Sequence, residues 1–314
     1  MIPKNRLEEI SHVITHKDCA DGVASAMILK LALPHIKISF IQYDSEEHRS
    51  IKPEPGLLFC DFSPHREHVE GFLGTDTLVL DHHKKYEETI RRFGENGVFA
   101  DEVKEPGVSG ALLAYREVYV PLRGPNPAVE EFATITGIRD TWQKKHELWL
   151  KACEQGEALS FWPPDMLVGQ PPSAWPAKLE IGQVLFAKTQ EYAADMVEKC
   201  HRFTTPAGTR VVLFGGVKMT SDVAERLGSA ADLVVGFKYK ISGDEVDLIY
   251  STRSHTHYDC GALCTAHGGG GHTKAAGFRV RIDVLQDPNP FEHFRRILQG
   301  FETSHSADLS MWVK

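Results

Sequence analysis

Three side chains that can titrate or bind a metal ion follow one apolar run in "LVLDHH", residues 78–83. Asp81, His82 and His83 stand at the point where this predicted strand ends. A single aspartate or histidine after a strand is often only a helix cap or a turn residue. The arrangement recurs in other strands of this chain, however, and the repetition favours a shared chemical role over coincidence.

Other candidate strands end on the same residue types. The segment "VITHKDCADG" contributes His16, Asp18 and Asp21, and "LLFCDF" contributes Asp61. Asp140, in "TGIRDTW", follows a predicted helix. Because the carboxyl ends of parallel strands share one edge of an open sheet, we expect all these groups to converge in one crevice.

Several carboxylates and imidazoles in one crevice would repel one another without a cation. Two divalent ions resolve this repulsion, since two-metal sites hold their ions about 3.5–4 Å apart around a shared carboxylate. The mixture of oxygen and imidazole ligands favours Mn²⁺, with Mg²⁺, Fe or Co as alternatives. One of His82 and His83 would then bind metal and the other a substrate phosphate. Asp81 is predicted to orient His82, because metal-binding histidines need such a partner.

A second cluster lies in "AHGGGGHTKAAGF", residues 266–278. Consecutive glycines allow backbone N–H groups to approach an anion, and His272 can donate a hydrogen bond to a phosphate. A glycine run alone is equally typical of a flexible turn. The preceding strand, however, ends near Arg253, whose guanidinium can hold a phosphate by two hydrogen bonds. The two features together predict a phosphate-binding position.

The N-terminal half has the pattern of an α/β domain with a mostly parallel sheet and helices on both faces. Helical spacing or an opening proline predicts helices over 21–33, 106–119 and 127–138. Short apolar runs predict strands over 11–15, 37–43, 56–62, 77–83 and 97–103.

The chain changes character after residue 150. Residues 161–176 contain too many prolines for a helix or a central strand, and they predict a domain junction followed by a long helix over 177–203. We therefore assign a catalytic domain to 1–150, a junction and linker helix to 151–204, and a substrate-binding domain to 205–314. The last is predicted to be a smaller α/β domain with a mixed sheet, with strands over 209–215, 232–241, 245–253 and 277–282.

Composition limits the class of protein. The 314 residues carry 43 acidic against 35 basic side chains, a net charge of −8 that disfavours binding along extended nucleic acid. Six cysteines without a CxxC pair predict reduced thiols. No apolar run approaches the roughly 20 residues of a membrane span, and the N-terminus lacks the order of a signal peptide. We expect a cytoplasmic protein with no membrane partner.

The motifs "HKDCADG", "LLFCDF", "LVLDHH", "TGIRDT" and "GGGGHTKAAG" occur in the order typical of one family. The chain resembles, over nearly its whole length, the DHH phosphoesterase superfamily with a C-terminal DHHA1 domain. It is most similar to the branch of nanoRNases, linear-dinucleotide phosphodiesterases and exopolyphosphatase-related proteins. Many members space the first two aspartates as DxD, whereas Cys19 and Ala20 separate Asp18 from Asp21 here.

The resemblance implies roles for individual residues. His16, Asp18 and Asp61 would bind one metal ion. The second ion would be bound by Asp21, Asp61, His82 and Asp140, so that Asp61 bridges the two. His83 would contact the scissile phosphate. His83 and Asp81 are the predicted catalytic residues. The DHHA1 domain would bind substrate phosphate through Arg253, Gly270, Gly271 and His272.

The resemblance also implies a manganese-dependent hydrolase of phosphoester bonds. Its predicted partner is a short nucleotide, above all a short 5′-phosphorylated oligonucleotide or linear dinucleotide, and no long nucleic acid. Alternatives are 3′-phosphoadenosine 5′-phosphate, abbreviated pAp, and inorganic polyphosphate. A non-enzymatic alternative is a nucleotide- or RNA-binding protein with an inactive site. The sequence leaves open whether the chain forms a homodimer.

Overall fold

The computed structural model describes residues 2–243, 245–283 and 289–305. The chain divides into two compact units, Met1–Phe186 and Ala187–Lys314, which we call the first and second unit. The division falls inside one helix, Ile181–Lys199. No described helix has an apolar stretch of the length that crossing a membrane requires.

A parallel sheet forms the centre of the first unit. Among the described residues its strands follow the order β2-β1-β3-β4-β5, and each neighbouring pair is parallel. The prediction of a mostly parallel sheet is therefore confirmed. The strands are β1 (His12–His16), β2 (Lys37–Ile41), β3 (Leu57–Cys60), β4 (Leu78–Asp81) and β5 (Gly97–Phe99).

Both faces of this sheet are covered, as expected from β3, which is apolar and buried at every position. Successive residues of a strand point to opposite faces, so Leu58 packs into one core while Phe59 packs into another. The helices that begin in this unit are α1 (Lys4–Glu8), α2 (Ala20–Ala32), α3 (Glu46–Ser50), α4 (Glu87–Arg91), α5 (Gly110–Leu113), α6 (Val120–Arg123), α7 (Pro127–Asp140), α8 (Trp149–Phe161), α9 (Trp175–Leu179) and α10 (Ile181–Lys199).

Capping side chains explain where two of the predicted helices in this unit begin. Helix α7 begins at Pro127, as predicted, with the Asn126 side chain accepting from the backbone of the first turn. The helix predicted from Pro106 instead begins at Gly110, because the Ser109 side chain caps it, and it continues through a π-helical stretch over 114–119.

The proline-rich residues 161–176 belong to the first unit and contain two short 3-10 turns, Pro164–Met166 and Pro172–Ala174.

The second unit contains a mixed sheet in the order β10-β11-β9-β8-β7-β6, as counted over the described residues. Among its described strands, β7 and β8 are the one parallel pair. The strands are β6 (His201–Thr204), β7 (Arg210–Gly215), β8 (Leu233–Ser242), β9 (Glu245–Arg253), β10 (Gly270–His272) and β11 (Ala275–Ile282); the helices are α11 (Thr220–Leu227), α12 (Cys260–Ala266) and α13 (Pro290–Ser304).

Two elements of the second unit differ from the expectations. The helix predicted over 177–203 ends at Lys199, and residues 201–204 form β6 because they pair with β7. Part of the glycine-rich segment is a strand, since β10 pairs with β11 in a tight antiparallel hairpin. Local sequence favoured a helix and a loop at these places, and pairing with a distant strand decided otherwise.

Candidate metal centre

Asp21 lies in the first turn of α2 and is buried to 1% exposure. Its carboxylate accepts backbone hydrogen bonds from Gly110 at 2.6 Å and from Ala111 at 2.9 Å. A side chain at Gly22 would lie 2.2 Å from the carbonyl oxygen of His16. The glycine after Asp21 is therefore needed for α2 to begin directly against the end of β1.

Asp61 follows β3 in a left-handed backbone conformation, with φ 55°. Its Oδ1 lies 3.2 Å from His82 Nε2, while its Oδ2 is buried without a hydrogen-bond partner. Burial, and then the neighbouring charge of Asp21, raise the pKa of Asp61 well above its usual value. Burying a carboxylate oxygen without a hydrogen-bond partner costs free energy. Such an oxygen is expected where the carboxylate binds a cation.

Three carboxylates surround one edge of His82. Its Nε2 lies 3.7 Å from Asp21 Oδ2 and 3.5 Å from Asp140 Oδ2, in addition to the contact with Asp61. Burial alone would lower the pKa of His82, but its hydrogen bond to Asp61 and the charge of Asp140 raise it. Burial and the charge of Asp21 raise the pKa of Asp140 to about 6. These carboxylates therefore favour a positive charge among them.

Asp81 and His83 form a fixed pair beside this cluster. The Asp81 carboxylate accepts from the His82 and His83 backbone N–H groups and from His83 Nδ1, at 2.8, 3.2 and 2.6 Å. Burial opposes ionisation of Asp81, but the His83 imidazolium holds its pKa below its usual value. Burial would lower the pKa of His83, and Asp81 instead raises it to about 9. Asp81 thus fixes the His83 ring, and it contacts His82 through the backbone.

His16 ends β1 on the other side of Asp61. Burial, followed by the charge of His83, lowers the pKa of His16 to about 4, so this imidazole is neutral at pH 7 and able to bind a metal ion. Its Nδ1 is buried without a hydrogen-bond partner and lies 3.9 Å from Asp61 Oδ2. The third group beside them is Cys19. Asp18 has an exposed side chain, and the structure does not place it in any of the described clusters.

The donor atoms fit divalent cations. Ligand atoms of Asp21, His82 and Asp140 lie within 4.8 Å of one another, as do those of His16, Cys19 and Asp61. Asp61 is also grouped with His82, which places its two oxygens between the two sets. Carboxylate oxygens and neutral imidazoles are the ligands that first-row divalent ions and Mg²⁺ use. The buried, unpartnered atoms of His16 and Asp61 are the specific sign of such a fit.

The predicted phosphate-binding residues lie in the second unit, and two of them, Arg253 and His272, share one row of its sheet. Arg253 pairs with Ala275 and Ala275 pairs with His272, so all three side chains point to the same face. Arg253 donates from Nε to Ser221 Oγ at 2.9 Å and from Nη1 to Ser251 Oγ at 3.1 Å, which fixes its plane. Gly271 needs its glycine, because a side chain there would lie 2.5 Å from the Ala275 carbonyl oxygen.

Sequence reasoning missed four groups around the metal centre. Tyr43 and Ser63 donate to Asp81 Oδ2 at 3.1 and 2.6 Å. Gly110 approaches so closely that a side chain there would lie 2.3 Å from Asp61 Cβ. Cys19 was noted only as a spacer between two aspartates. No local pattern marks Tyr43 or Ser63, whereas the small residues of "VSGA" before an apolar helix were a visible sign of close packing.

The fold is similar to those of several solved structures. The exonuclease RecJ bound to manganese superposes with a TM-score of 0.57 at 17% identity, covering 95% of this chain and 91% of that one. The DHH domain of a member of a ribosomal protein family gives 0.57 at 13%, with coverages of 95% and 87%. The chain has the fold of the DHH-domain proteins.

A third similar structure is the pGpG-specific phosphodiesterase PggH from Vibrio cholerae. It superposes with a TM-score of 0.50 at 13% identity and covers 95% of this chain and 99% of that one. No protein-family model and no curated protein sequence matches the chain. The similarity therefore concerns the fold, in which a parallel-sheet unit precedes a mixed-sheet unit, as predicted.

Proposed function

We propose that this protein is a metal-dependent phosphoesterase that cleaves short 5′-phosphorylated oligonucleotides or linear dinucleotides to mononucleotides. The observation that carries the proposal is the convergence of Asp21, Asp61, His82 and Asp140 at one sheet edge, with an unpartnered oxygen on Asp61. RecJ and PggH, an exonuclease and a phosphodiesterase of the same fold, support it.

Asp21, Asp61, His82 and Asp140 would hold one divalent ion, and His16 with Asp61 would contribute to a second. Mn²⁺ is the preferred candidate, with Mg²⁺, Fe or Co as alternatives. Two bound ions would supply an activated water nucleophile and neutralise charge on the phosphoryl oxygens. Asp21 is held for this role by two backbone N–H groups.

Among the side chains of the metal centre, His83 has the orientation and charge best suited to binding the scissile phosphate. Its Nδ1 is bonded to Asp81, so Nε2 is the ring nitrogen that remains to donate to an anionic oxygen. In the metal-free protein, a pKa of about 9 keeps the ring protonated at neutral pH. Asp81 acts by fixing the ring in this orientation, and Tyr43 and Ser63 hold Asp81 in turn.

The proposal includes a phosphate-binding position within the second unit. Arg253 and His272 lie two strands apart on one face, about 10 Å by the usual strand spacing, with only the small Ala275 between them. The backbone of Gly270 and Gly271 adds N–H groups next to His272. A 5′-phosphorylated dinucleotide, which carries phosphate groups at two positions, is the preferred substrate, with pAp and inorganic polyphosphate as the alternatives.

The test is a comparison of substrates with the purified protein and Mn²⁺. A 5′-phosphorylated dinucleotide, pAp, polyphosphate and a long oligonucleotide are incubated separately, and the products are separated by chromatography. Mononucleotides from the dinucleotide, formed faster than from the long strand, are the expected result. Loss of one phosphate from pAp alone would make the protein a phosphatase. Metal binding without turnover of any substrate would favour a nucleotide-binding protein.

A further inference from the structure

Cys19 occupies a position beside the metal centre that the sequence assigned to Asp18. Ligand atoms of His16, Cys19 and Asp61 all lie within 4.8 Å of one another. Asp61 is 1% exposed, and its Oδ2 faces His16 Nδ1 at 3.9 Å while neither atom has a hydrogen-bond partner. Two possible metal-ligand atoms without hydrogen-bond partners and one thiol sulfur therefore lie around one point.

The path of the chain explains why the cysteine is at this point. Strand β1 ends at His16, and α2 begins at Ala20, so three residues make the connection. Within it Asp18 takes a left-handed conformation, with φ 57°, and its side chain is exposed. Cys19 then returns to extended backbone as the residue that precedes α2, and its half-buried side chain joins the cluster.

We propose that Cys19, rather than Asp18, is the third protein ligand of the metal position formed with His16 and Asp61, and that this position takes a borderline ion such as Zn²⁺, Fe²⁺ or Co²⁺. This inference rests on the proposed function. A thiolate is a soft ligand that favours these ions over Mn²⁺ and Mg²⁺. The thiol must release its proton when the ion binds. Burial and the charge of Asp61 raise the pKa of the Cys19 thiol well above its usual value, and the backbone N–H of Gly22 in the first turn of α2 offsets this only in part. The positive charge of the ion itself would therefore have to drive the loss of the proton.

The two metal positions would then differ chemically. The position of Asp21, Asp61, His82 and Asp140 offers oxygen and imidazole ligands alone and suits Mn²⁺ or Mg²⁺. The position of Cys19 adds sulfur. Asp61, which contributes an oxygen to each, would bridge a hard and a borderline ion.

The experiment uses Co²⁺ as a spectroscopic probe of the metal-free full-length protein. Thiolate bound to Co²⁺ gives a sulfur-to-metal charge-transfer band in the near ultraviolet, which oxygen and imidazole ligands do not give. The expected result is that the band appears during titration of the wild-type protein. It should disappear in Cys19→Ser and in Cys19→Asp, of which the second variant retains a ligand and a charge for folding.

Two matched controls accompany these variants. Asp18→Asn changes the exposed neighbour, and Cys200→Ser removes a half-buried thiol of the second unit; both should keep the band. Cys19→Ser should also weaken Co²⁺ binding by roughly tenfold or more, a loss seen even when outer partners of metal ligands are removed. Cys19→Asp should shift the preference of the protein from Co²⁺ towards Mn²⁺ in competition.

The outcomes separate this inference from the proposed function. A wild-type protein that binds two Co²⁺ ions without the band, or a band that survives in Cys19→Ser, would overturn the role of Cys19 and leave the phosphoesterase proposal intact. A wild-type protein without the band, together with weakened Co²⁺ binding in Asp18→Asn, would return the ligand role to Asp18. A wild-type protein that binds no divalent ion would overturn both proposals.

Discussion

At the scale of single residues, the metal centre is a set of buried charges that the fold keeps close together at a cost. Asp61 shows this most clearly, because burial and Asp21 both disfavour its ionised form. His83 is the opposite case, since Asp81 favours its charged form. Removing either group should therefore affect stability and function in different ways.

Asp61→Asn should abolish divalent metal binding at the shared position and lower phosphoesterase activity by more than about a hundredfold. The metal-free variant should be at least as stable as the wild type. The folded-state pKa of Asp61 is raised, so its ionised carboxylate destabilises the fold above its usual pKa, and the neutral amide removes that penalty. Calorimetric metal titration and urea unfolding measure the two effects. Near-normal turnover would contradict the bridging role.

His83 should make the stability of the metal-free protein depend on pH. Its folded-state pKa of about 9 exceeds the usual value of 6.5, so its contribution is complete below pH 6.5 and is lost as the pH rises through 9. The shift corresponds to about 3 kcal/mol at most. Urea unfolding at several pH values measures it, with His83→Gln as the control that lacks the titrating ring. Equal pH dependence in both proteins would contradict the His83–Asp81 pairing.

At the scale of elements, close approach of two helix starts to the strand ends creates the centre. The first turn of α2 approaches the end of β1 at Gly22, and α5 begins against Asp21 and Asp61 at Gly110. The backbone N–H groups of α5 hold the Asp21 carboxylate, which needs no side-chain partner for this. The glycines are thus part of the metal centre although they offer no ligand atom.

Gly110→Ala should lower both stability and metal affinity. The added Cβ would lie 2.3 Å from Asp61 Cβ and 2.9 Å from Asp21 Oδ2, so α5 must move away from both aspartates. Overpacking of this kind costs about 1–3 kcal/mol. Gly300→Ala in α13 is the matched control, because no atom lies within 4 Å of its added Cβ, and it should be neutral or slightly stabilising. Thermal unfolding and metal titration compare the two variants.

At the scale of the whole molecule, each unit has its own sheet and core. The candidate metal ligands all come from the first unit, and the candidate phosphate-binding residues all come from the second. Metal binding and phosphate binding should therefore respond to separate changes.

Adding Mn²⁺ to the metal-free protein should slow amide hydrogen exchange in β1, β3 and β4 while leaving β8 and β9 of the second unit nearly unchanged. Ligand at 100 times its dissociation constant stabilises the unit that binds it by about 2.7 kcal/mol. Exchange measured by mass spectrometry with and without a chelator tests this. Equal protection in both sheets would contradict the assignment of all metal ligands to the first unit.

Arg253→Lys should raise the KM for a 5′-phosphorylated dinucleotide by roughly tenfold, the equivalent of about 1.4 kcal/mol. Lysine keeps the charge but lacks the planar group that bonds to Ser221 and Ser251, so the cation would lose its fixed position on the sheet face. Metal affinity should not change. Steady-state kinetics and metal titration of the same preparation provide both numbers, and a loss of metal binding would show that the substitution acts on the fold instead.

The sequence by itself determined the parallel sheet, the mixed second sheet and the convergence of most metal-binding candidates. Apolar runs that end on aspartate or histidine carry this information locally, because strand direction in a parallel sheet brings their carboxyl ends to one edge. His16, Asp21, Asp61 and His82 could be placed together from this rule alone.

Only the tertiary structure decided which neighbour of the first strand faces the centre. Asp18 and Cys19 are adjacent in sequence, and the left-handed turn at Asp18 exposes one and buries part of the other. The same holds for Tyr43 and Ser63, which support Asp81 from distant positions, and for β6, which exists because it pairs with β7. Side-chain direction in a short connection and pairing between distant segments depend on the packed molecule, so no local pattern could predict them.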